Sequence, residues 1–327
     1  MYTISIRVDG ADQVGEARRR AATVAREAHL DETAAGRLAI IVTELANNVW
    51  RHGGGGEVLI SNFGDRCVET LALDRGPGLS DVARCFQDGY STAGSSGTGL
   101  GAVGRLSYHT DVYSVLGKGT AVLSRVRATG APESDSSVMV GGVAVPMRNE
   151  TVCGDAFAWA DDAALYLLVV DGLGHGPGAA DCASAAVAAF HDAHRATPVE
   201  LMRDIHAALR ATRGAAASVA RIDFPRRELR YSGVGNIAGF IWSDGAAKHL
   251  LSHPGIVGHD ARNVREITYA LPAGALVLLY SDGIGTHWSL SAYDGLLHRD
   301  PSLIAGVIYR DQSRGRDDAT VVVVRSR

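Results

Sequence analysis

The 327-residue sequence lacks a long apolar run, a secretory signal and an excess of either charge. A membrane-spanning helix needs roughly 18 consecutive apolar residues, and no stretch approaches that length, so we expect no membrane partner. The opening residues, MYTISIRVDGADQ, show no basic region followed by an apolar one, so we expect no secretory signal. The 32 lysine and arginine residues are balanced by 36 aspartate and glutamate residues, so nothing indicates a nucleic acid partner.

Cysteine is scarce as well. Cys67, Cys85, Cys153 and Cys182 show no close metal-ligand spacing, so we interpret them as free thiols of a reducing compartment. We therefore expect a cytoplasmic protein. Apolar residues make up 46% of the chain and charged residues 21%, a balance that allows packed cores and argues against general disorder.

A polar segment divides the chain into two halves. The stretch RATGAPESDSSV contains glycine and proline and has no periodic apolar pattern, which is typical of a linker. We predict one domain at residues 1–127, a linker at 128–137 and a second domain at 138–327. A typical domain size of roughly 150 residues also favours two domains.

Both halves are predicted to be α+β. In the first half, residues 12–29 and 32–52 repeat apolar residues at helical spacing, and strand-like segments follow them. This pattern predicts helices on one face of a mixed sheet. In the second half, short strand-like segments are interrupted by helix-like segments at 178–194 and 198–213. That pattern predicts two packed sheets with helices outside.

The first half carries three polar motifs in a fixed order. Glu44 and Asn48 are four residues apart in TELANNVWRH, so they are neighbours on one helix face. A strand then ends at Asp74, which is followed by Gly76 and Gly78. Taken singly, these motifs are better explained by a polar helix edge and an ordinary turn.

The third motif is a glycine-rich loop, SSGTGLGAVGRL, in which Gly97, Gly99 and Gly101 precede a helix-like segment. Such glycines expose backbone N–H groups at a helix N-terminus, where phosphate groups often bind. In this order the motifs resemble the ATP site of the GHKL superfamily. The short lid at about residues 80–96, between the second and third motifs, and the lack of a phosphoacceptor-histidine domain are similar to its anti-sigma-factor serine kinases. The later GKGTAV, with Thr120 on the last strand, fits the same pattern.

The GHKL resemblance implies a role for each of these residues. Asp74 would accept a hydrogen bond from the adenine amino group of ATP, and Asn48 would hold Mg²⁺. Glu44 would act as the base that orients the attacking hydroxyl. Phosphoryl transfer requires little beyond positioning, a cation and such a carboxylate. The nucleotide-binding set is completed by five glycines and a threonine: Gly76, Gly78, Gly97, Gly99, Gly101 and Thr120.

The second half repeatedly places aspartate at strand ends. The apolar strand LLVV runs into Asp171, LVLLYS runs into Asp282, and Asp155 and Asp317 border two further strand-like segments. Each aspartate alone could be a strand-end cap or part of a turn. Together, convergent carboxylates repel one another unless cations lie between them, and hard divalent ions prefer oxygen ligands.

In this order, the motifs GD, VDGLGHG, YSDG and DDAT resemble the metal-dependent protein phosphatases of the PPM family, in the SpoIIE-like branch. The resemblance implies an α-β-β-α sandwich and two Mn²⁺ or Mg²⁺ ions that polarise a water for attack on phosphoserine or phosphothreonine. Asp171 would bridge the ions as the catalytic carboxylate, with the carbonyl of Gly172 as an extra ligand. The metal-binding set would be completed by Asp155, Asp282 and Asp317.

Three further residues near these motifs call for interpretation. Asn236, in GVGNIA, stands where many SpoIIE-like phosphatases have histidine, and this variant resembles the small phosphatase that resets bacterial stress-signalling complexes. His175 could donate a proton to the leaving seryl oxygen or could simply be exposed in its glycine-rich turn. Asp318 is left out of the metal set because it should point to the opposite face if the strand has begun.

A serine kinase and a serine phosphatase on one chain indicate opposed control of one phosphorylation state. The first hypothesis is a bifunctional enzyme of bacterial partner switching that phosphorylates and dephosphorylates a STAS-domain antagonist. The second hypothesis makes the first domain a non-catalytic module that senses ATP, or sequesters a regulator, beside an active phosphatase. The two remain open at this point, because ATP binding and phosphate transfer share nearly every motif residue.

Overall fold

The computed structural model describes residues 3–64, 66–85, 99–131, 136–193, 196–261 and 264–326. The chain forms two compact units. The first unit comprises Met1–Ser134 together with Gly295–Arg310, and the second comprises Asp135–Asp294 together with Asp311–Arg327. The sequence assigned residues 295–310 to the second domain, whereas in the structure they cluster with the first unit.

The first unit is built on one five-stranded sheet in the order β1-β2-β3-β5-β4. The strand pairs are all antiparallel, where the sequence indicated a mixed sheet, and the predicted α+β class is confirmed. Its elements from the N-terminal part of the chain are β1 (Thr3–Val8), α1 (Ala11–Glu27), α2 (Glu32–Arg51), β2 (Gly56–Asn62), β3 (Cys67–Asp74), α3 (Val82–Cys85), α4 (Gly99–Leu106), β4 (His109–Val115) and β5 (Gly119–Arg127).

Helix α2 forms because its apolar residues recur on one face. Leu38, Ile41 and Leu45 are buried in a core that they share with α1 and with sheet residues such as Val68. The helix begins after Asp31, whose carboxylate accepts a hydrogen bond from the Ala34 N–H at 3.1 Å and so caps the N-terminus. This orientation leaves the polar edge of α2 at the border of the core.

The second unit contains two five-stranded antiparallel sheets, ordered β13-β10-β9-β8-β7 and β12-β11-β14-β15-β6. The sheets pack face to face, since a side chain at Gly142 of β6 would meet the Phe157 ring of β7. Its elements up to residue 280 are β6 (Val138–Val145), β7 (Asp155–Asp161), β8 (Leu165–Gly172), α5 (Pro177–Ala193), α6 (Pro198–Ala208), β9 (Ala215–Asp223), β10 (Glu228–Val234), β11 (Ala238–Ser243), β12 (Ala246–His249), β13 (Ile267–Ala270) and β14 (Leu276–Tyr280).

Helices α5 and α6 cover one of these sheets. Phe190 of α5 and Leu201 of α6 are fully buried in a core with Leu168 of β8. The chain ends with α7 (Pro301–Gln312) and β15 (Ala319–Ser326). The predicted arrangement of two packed sheets with helices outside is confirmed. Within the described part of the chain, no helix is both long enough and apolar enough to span a bilayer.

Helix α7 is buried on every side, because each residue from Pro301 to Tyr309 is buried. Within the first unit it covers the second face of the sheet. A side chain at Gly306 would lie 3.2 Å from Leu71 of β3, whereas Val68 and Ala72 of the same strand belong to the core formed with α1 and α2. Because side chains alternate between the faces of a strand, β3 is enclosed between two helical layers.

Candidate nucleotide site and candidate metal centre

The phosphate-loop motif and the helix motif of the first unit meet at Gly99, the first residue of α4. A Cβ at this position would lie 3.0 Å from Oε2 of Glu44 and 3.6 Å from Oδ1 of Asn48. A side chain here would crowd the Glu44 carboxylate, so glycine leaves room for the close approach of α4 to the polar edge of α2. The side-chain nitrogen of Asn48 is buried and has no hydrogen-bond partner among the described residues. Such an orphaned polar atom fits a site that a ligand completes.

Asp74 lies at the end of β3 and organises the next motif. Its Oδ1 accepts hydrogen bonds from the N–H groups of Gly76 at 2.8 Å and Thr120 at 3.1 Å. Its Oδ2 has no hydrogen-bond partner in the part of the chain that the structure describes, so it can accept one from a ligand. Burial raises the pKa of Asp74, and these two backbone hydrogen bonds oppose the shift.

The remaining nucleotide-site glycines differ in how the structure explains them. A side chain at Gly76 would collide with the backbone of Gly53, and one at Gly78, where φ is 75°, would overlap the carbonyl oxygen of Val115. Both residues therefore hold the segment after Asp74 close to neighbouring backbone. Gly101 is a buried position in α4. Gly97 lies outside the described residues.

The second unit pairs two of its predicted metal ligands directly. Asp155 begins β7 and Asp171 lies near the end of β8, and the two are opposite each other in the antiparallel register. Asp155 is buried, and its Oδ2 accepts a hydrogen bond from the Ser281 hydroxyl at 2.6 Å. Burial, followed by the charge of Asp171, raises the pKa of Asp155 well above its usual range.

Asp171 is the centre of a cluster of carboxylates. Burial, and after it the charges of Asp282, Asp317 and Asp318, raises the pKa of Asp171 to about 7. The Asn236 side chain donates a hydrogen bond to Oδ2 of Asp282 at 2.6 Å. Carboxylates that repel one another in this way offer the all-oxygen, negatively charged donors that Mg²⁺ and Mn²⁺ prefer. The structure thus brings the four predicted aspartates into electrostatic contact.

The cluster is open rather than tightly closed. Across the described ranges, no three or more His, Cys, Asp or Glu side chains are grouped closely enough to hold an ion as they stand. Both carboxylate oxygens of Asp318 accept backbone hydrogen bonds, one from the N–H of Met147 at 2.6 Å and the other from the N–H of Gly154 at 2.8 Å. These bonds position the chain before β7 and agree with leaving Asp318 out of the metal set, which stays a prediction.

Two Asp-Gly pairs require glycine for packing. A side chain at Gly172 would overlap the carbonyl oxygen of Ala179 in α5, and one at Gly283 would overlap the carbonyl oxygen of Asp318. The sequence singled out Gly172 because its carbonyl would be an extra metal ligand. The structure gives a more immediate reason, which is close contact between the strand ends and neighbouring backbone.

The structure adds three residues that the sequence motifs did not assign. Ser281 orients Asp155, and its place beside Asp282 in YSDG is the only sequence signal for it. Glu150 contacts Nδ1 of His175 at 2.7 Å in an exposed pair. Arg213 lies against the glycine-rich turn, where a Cβ at Gly178 would be 2.8 Å from its guanidinium carbon. No spacing in the sequence connects Glu150 or Arg213 to this turn.

Comparison with known proteins assigns both halves. The family profile of Stage II sporulation protein E (SpoIIE) matches residues 161–327, just over half of the chain. The chain belongs to the SpoIIE family. The profile of the histidine kinase-like ATPase domain matches residues 9–125. Both resemblances predicted from the motifs are therefore confirmed.

Two relatives from Bacillus subtilis (strain 168) match different parts of the chain. The serine/threonine-protein kinase RsbT is 34% identical over 109 residues, which cover 32% of this chain and 82% of RsbT. The phosphoserine phosphatase RsbX is 30% identical over 140 residues, which cover 42% of this chain and 70% of RsbX. The chain thus joins an RsbT-like kinase domain to a PPM-type protein serine/threonine phosphatase domain.

Solved structures agree with this assignment. A structure from work on the bacterial stressosome as a modular system has a TM-score of 0.54 and 30% identity, covering 57% of this chain and 99% of its own. RsbX in complex with magnesium has a TM-score of 0.53 and covers 60% of this chain and 98% of its own. At 22% identity, the RsbX structure supports the fold alone.

Proposed function

We propose that this protein is a bifunctional regulator of bacterial partner-switching signalling. The first unit phosphorylates a seryl or threonyl hydroxyl with ATP, and the second unit removes phosphate from a phosphoserine or phosphothreonine. The substrate class is a STAS-domain antagonist, a proposal supported by the similarity of the two halves to RsbT and RsbX. The observation that carries the kinase assignment is the approach of Gly99 to Glu44 and Asn48, because it joins the predicted phosphate loop to the predicted base.

In the kinase reaction, each residue has a separate task. The unpaired Oδ2 of Asp74 accepts a hydrogen bond from the adenine amino group, and the N-terminus of α4 at Gly99 faces the phosphates. Asn48 holds Mg²⁺, which neutralises phosphate charge when bound. Glu44 accepts the proton of the substrate hydroxyl while that oxygen bonds to the γ-phosphorus and the bond to ADP breaks.

In the phosphatase reaction, the aspartate cluster and the Gly172 carbonyl hold two Mn²⁺ or Mg²⁺ ions. Bound ions supply Lewis-acid activation of water and of the phosphoryl oxygens. Ser281 fixes the orientation of Asp155, and Asn236 does the same for Asp282. We propose that His175, which contacts Glu150, protonates the seryl oxygen as its bond to phosphorus breaks, a role supported by the orientation that this contact gives the imidazole.

A transfer assay with Glu44→Gln tests the kinase half of this proposal. Single-turnover transfer from [γ-³²P]ATP to purified STAS-domain partners is measured in an Asp171→Asn background, so that hydrolysis does not remove the label. We expect Glu44→Gln to slow transfer by roughly 10²–10⁴-fold, the usual effect of losing a general base. ATP affinity stays nearly intact, because this carboxylate faces the hydroxyl rather than the nucleotide.

Glu32→Gln is the matched control, because Glu32 is exposed in the first turn of the same helix. It should transfer phosphate at the parent rate. A parent protein that binds ATP and a STAS partner yet transfers no phosphate would replace the kinase assignment with the second hypothesis, a nucleotide-sensing or regulator-sequestering module. Mn²⁺-dependent dephosphorylation by the chain with an intact Asp171 tests the phosphatase half separately.

A further inference from the structure

The first unit is completed by a segment from the phosphatase half of the sequence. Residues 295–310 lie within the stretch that matches the SpoIIE family, yet they cluster with the nucleotide-binding unit. The segment contains most of α7, and from residue 311 onward the chain belongs to the second unit. The helix therefore begins in one unit and its last two residues, Asp311 and Gln312, are in the other.

A buried charge network anchors the start of this segment. Asp300 accepts two hydrogen bonds from the Arg125 guanidinium, each at 2.8 Å, and its backbone N–H donates to Asp111 at 2.8 Å. Arg125 also donates to Glu69 at 2.8 Å. Side-chain exposure is only 12% for Arg125 and 1% for Asp300. Breaking such a pair would leave a charge buried without compensation, so the segment is firmly held against the sheet.

The end of the segment reaches the nucleotide site. Arg310 donates a hydrogen bond from its guanidinium to the backbone carbonyl of Asp74 at 3.0 Å. In return, the Arg75 guanidinium donates to the Arg310 carbonyl. Tyr309 donates to a carboxylate oxygen of Glu57 at 3.0 Å. Arg310 thus fixes the backbone of the residue that we assign to adenine recognition.

We propose that Arg310 is a positioning residue of the nucleotide site. By holding the backbone carbonyl of Asp74, it fixes the direction in which the Asp74 carboxylate meets the adenine amino group. This inference rests on the proposed function, because it requires that Asp74 bind ATP.

The test measures base selectivity in the full chain. Affinities for the non-hydrolysable ATP analogue AMP-PNP and its guanine counterpart GMP-PNP are determined by calorimetry at constant Mg²⁺ for wild type, Arg310→Met, Arg310→Lys and Arg37→Met. We expect Arg310→Met to lower the affinity for AMP-PNP about fivefold or more, the low end of measured coupling effects. The ratio of the AMP-PNP affinity to the GMP-PNP affinity should fall as well. Arg310→Lys, which keeps a charged donor, should restore part of both.

Arg37→Met is the matched control, because Arg37 is an exposed residue of α2 in the same unit. It should bind both nucleotides as wild type does. If Arg310 had a purely structural role, Arg310→Met would lower the affinities for both nucleotides equally and leave the selectivity unchanged. That result would overturn its assignment as a positioning residue. Wild-type affinity in Arg310→Met would overturn it as well.

The positioning role and the proposed function fail separately in this experiment. Unchanged base selectivity in Arg310→Met would overturn the positioning role and leave the proposed function intact. Failure of the wild type to bind either nucleotide would instead overturn the proposed kinase site, and the inference with it.

Discussion

Asp155 and Asp171 are directly opposite each other on neighbouring antiparallel strands. Burial is the largest cause that raises the pKa of both carboxyls, followed by the charge of Asp171 for Asp155 and by the charges of Asp282, Asp317 and Asp318 for Asp171, so the carboxylates of this cluster repel one another. The folded chain therefore stores unfavourable electrostatic energy at one strand end. Divalent cations would relieve this repulsion, which connects the register of two strands to the chemistry of the phosphatase.

Removing the carboxylate charge with Asp171→Asn should abolish phosphatase activity. The remaining ligands could not hold two ions in register, and each ion is needed for water activation. Hydrolysis of a generic phosphomonoester with excess Mn²⁺ measures the effect. Asp192→Asn, at an exposed position of α5, serves as the control and should retain full activity. Near-wild-type turnover of Asp171→Asn would contradict the two-metal assignment.

Loss of the hydrogen bond to Asp282 should weaken metal binding without removing a ligand. Asn236→Ala leaves the Asp282 carboxylate without its orienting donor. We expect the Mn²⁺ concentration for half-maximal activity to rise by roughly 10–100-fold, as is typical for partners of metal ligands. Asn236→His keeps a donor and should require less Mn²⁺ than Asn236→Ala. Equal Mn²⁺ requirements for wild type and Asn236→Ala would show that this bond does not support the metal centre.

Removing the charge of Asp74 should weaken ATP binding. In Asp74→Asn, the side chain is a poorer acceptor for the adenine amino group, a charge-assisted bond worth roughly 1.5–3 kcal/mol. GTP carries a carbonyl where ATP carries the amino group, so wild type should bind GTP poorly. Calorimetry with both nucleotides tests this expectation, with exposed Asp12→Asn as control. Equal ATP and GTP affinities in wild type would argue strongly against a GHKL-type pocket.

Acid should destabilise the first unit through Asp300. Burial alone would raise the pKa of Asp300, but the His109 hydrogen bond and the Arg125 guanidinium overcome it and hold the pKa at about 2, below the ordinary 3.8. A depressed carboxyl pKa stabilises the fold above the unfolded value and loses that contribution as pH falls through the folded value. The shift corresponds to about 2 kcal/mol of unfolding free energy, lost between roughly pH 4 and pH 2.

Urea unfolding of wild type and Asp300→Asn at several pH values checks this prediction. The variant should be less stable at pH 7, and the difference should shrink as pH falls below 4. Asp12→Asn removes an exposed aspartate of the same unit and should show no comparable pH-dependent difference. A constant difference between wild type and Asp300→Asn across this range would mean that Asp300 is not charged in a stabilising pair.

The sequence alone determined the elements that carry a periodic pattern and the motifs that lie within one element. The apolar stripe of α2 predicted both the helix and the side-by-side placement of Glu44 and Asn48. Asp171 and Asp282 were identifiable because an apolar strand that ends in Asp-Gly is a local signal. Such features depend on neighbours in the chain, so a single sequence contains them.

Only the tertiary structure revealed α7 and its role in the first unit. A helix buried on all sides shows no 3.6-residue alternation of apolar and polar positions, so PSLIAGVIY gives no helical signal in the sequence. The bonds from Arg310 to Asp74 and from Ser281 to Asp155 join residues 236 and 126 positions apart in the chain. The register of the strands and the packing of helices on them determine such partners. No pattern among neighbouring residues of the sequence contains this information.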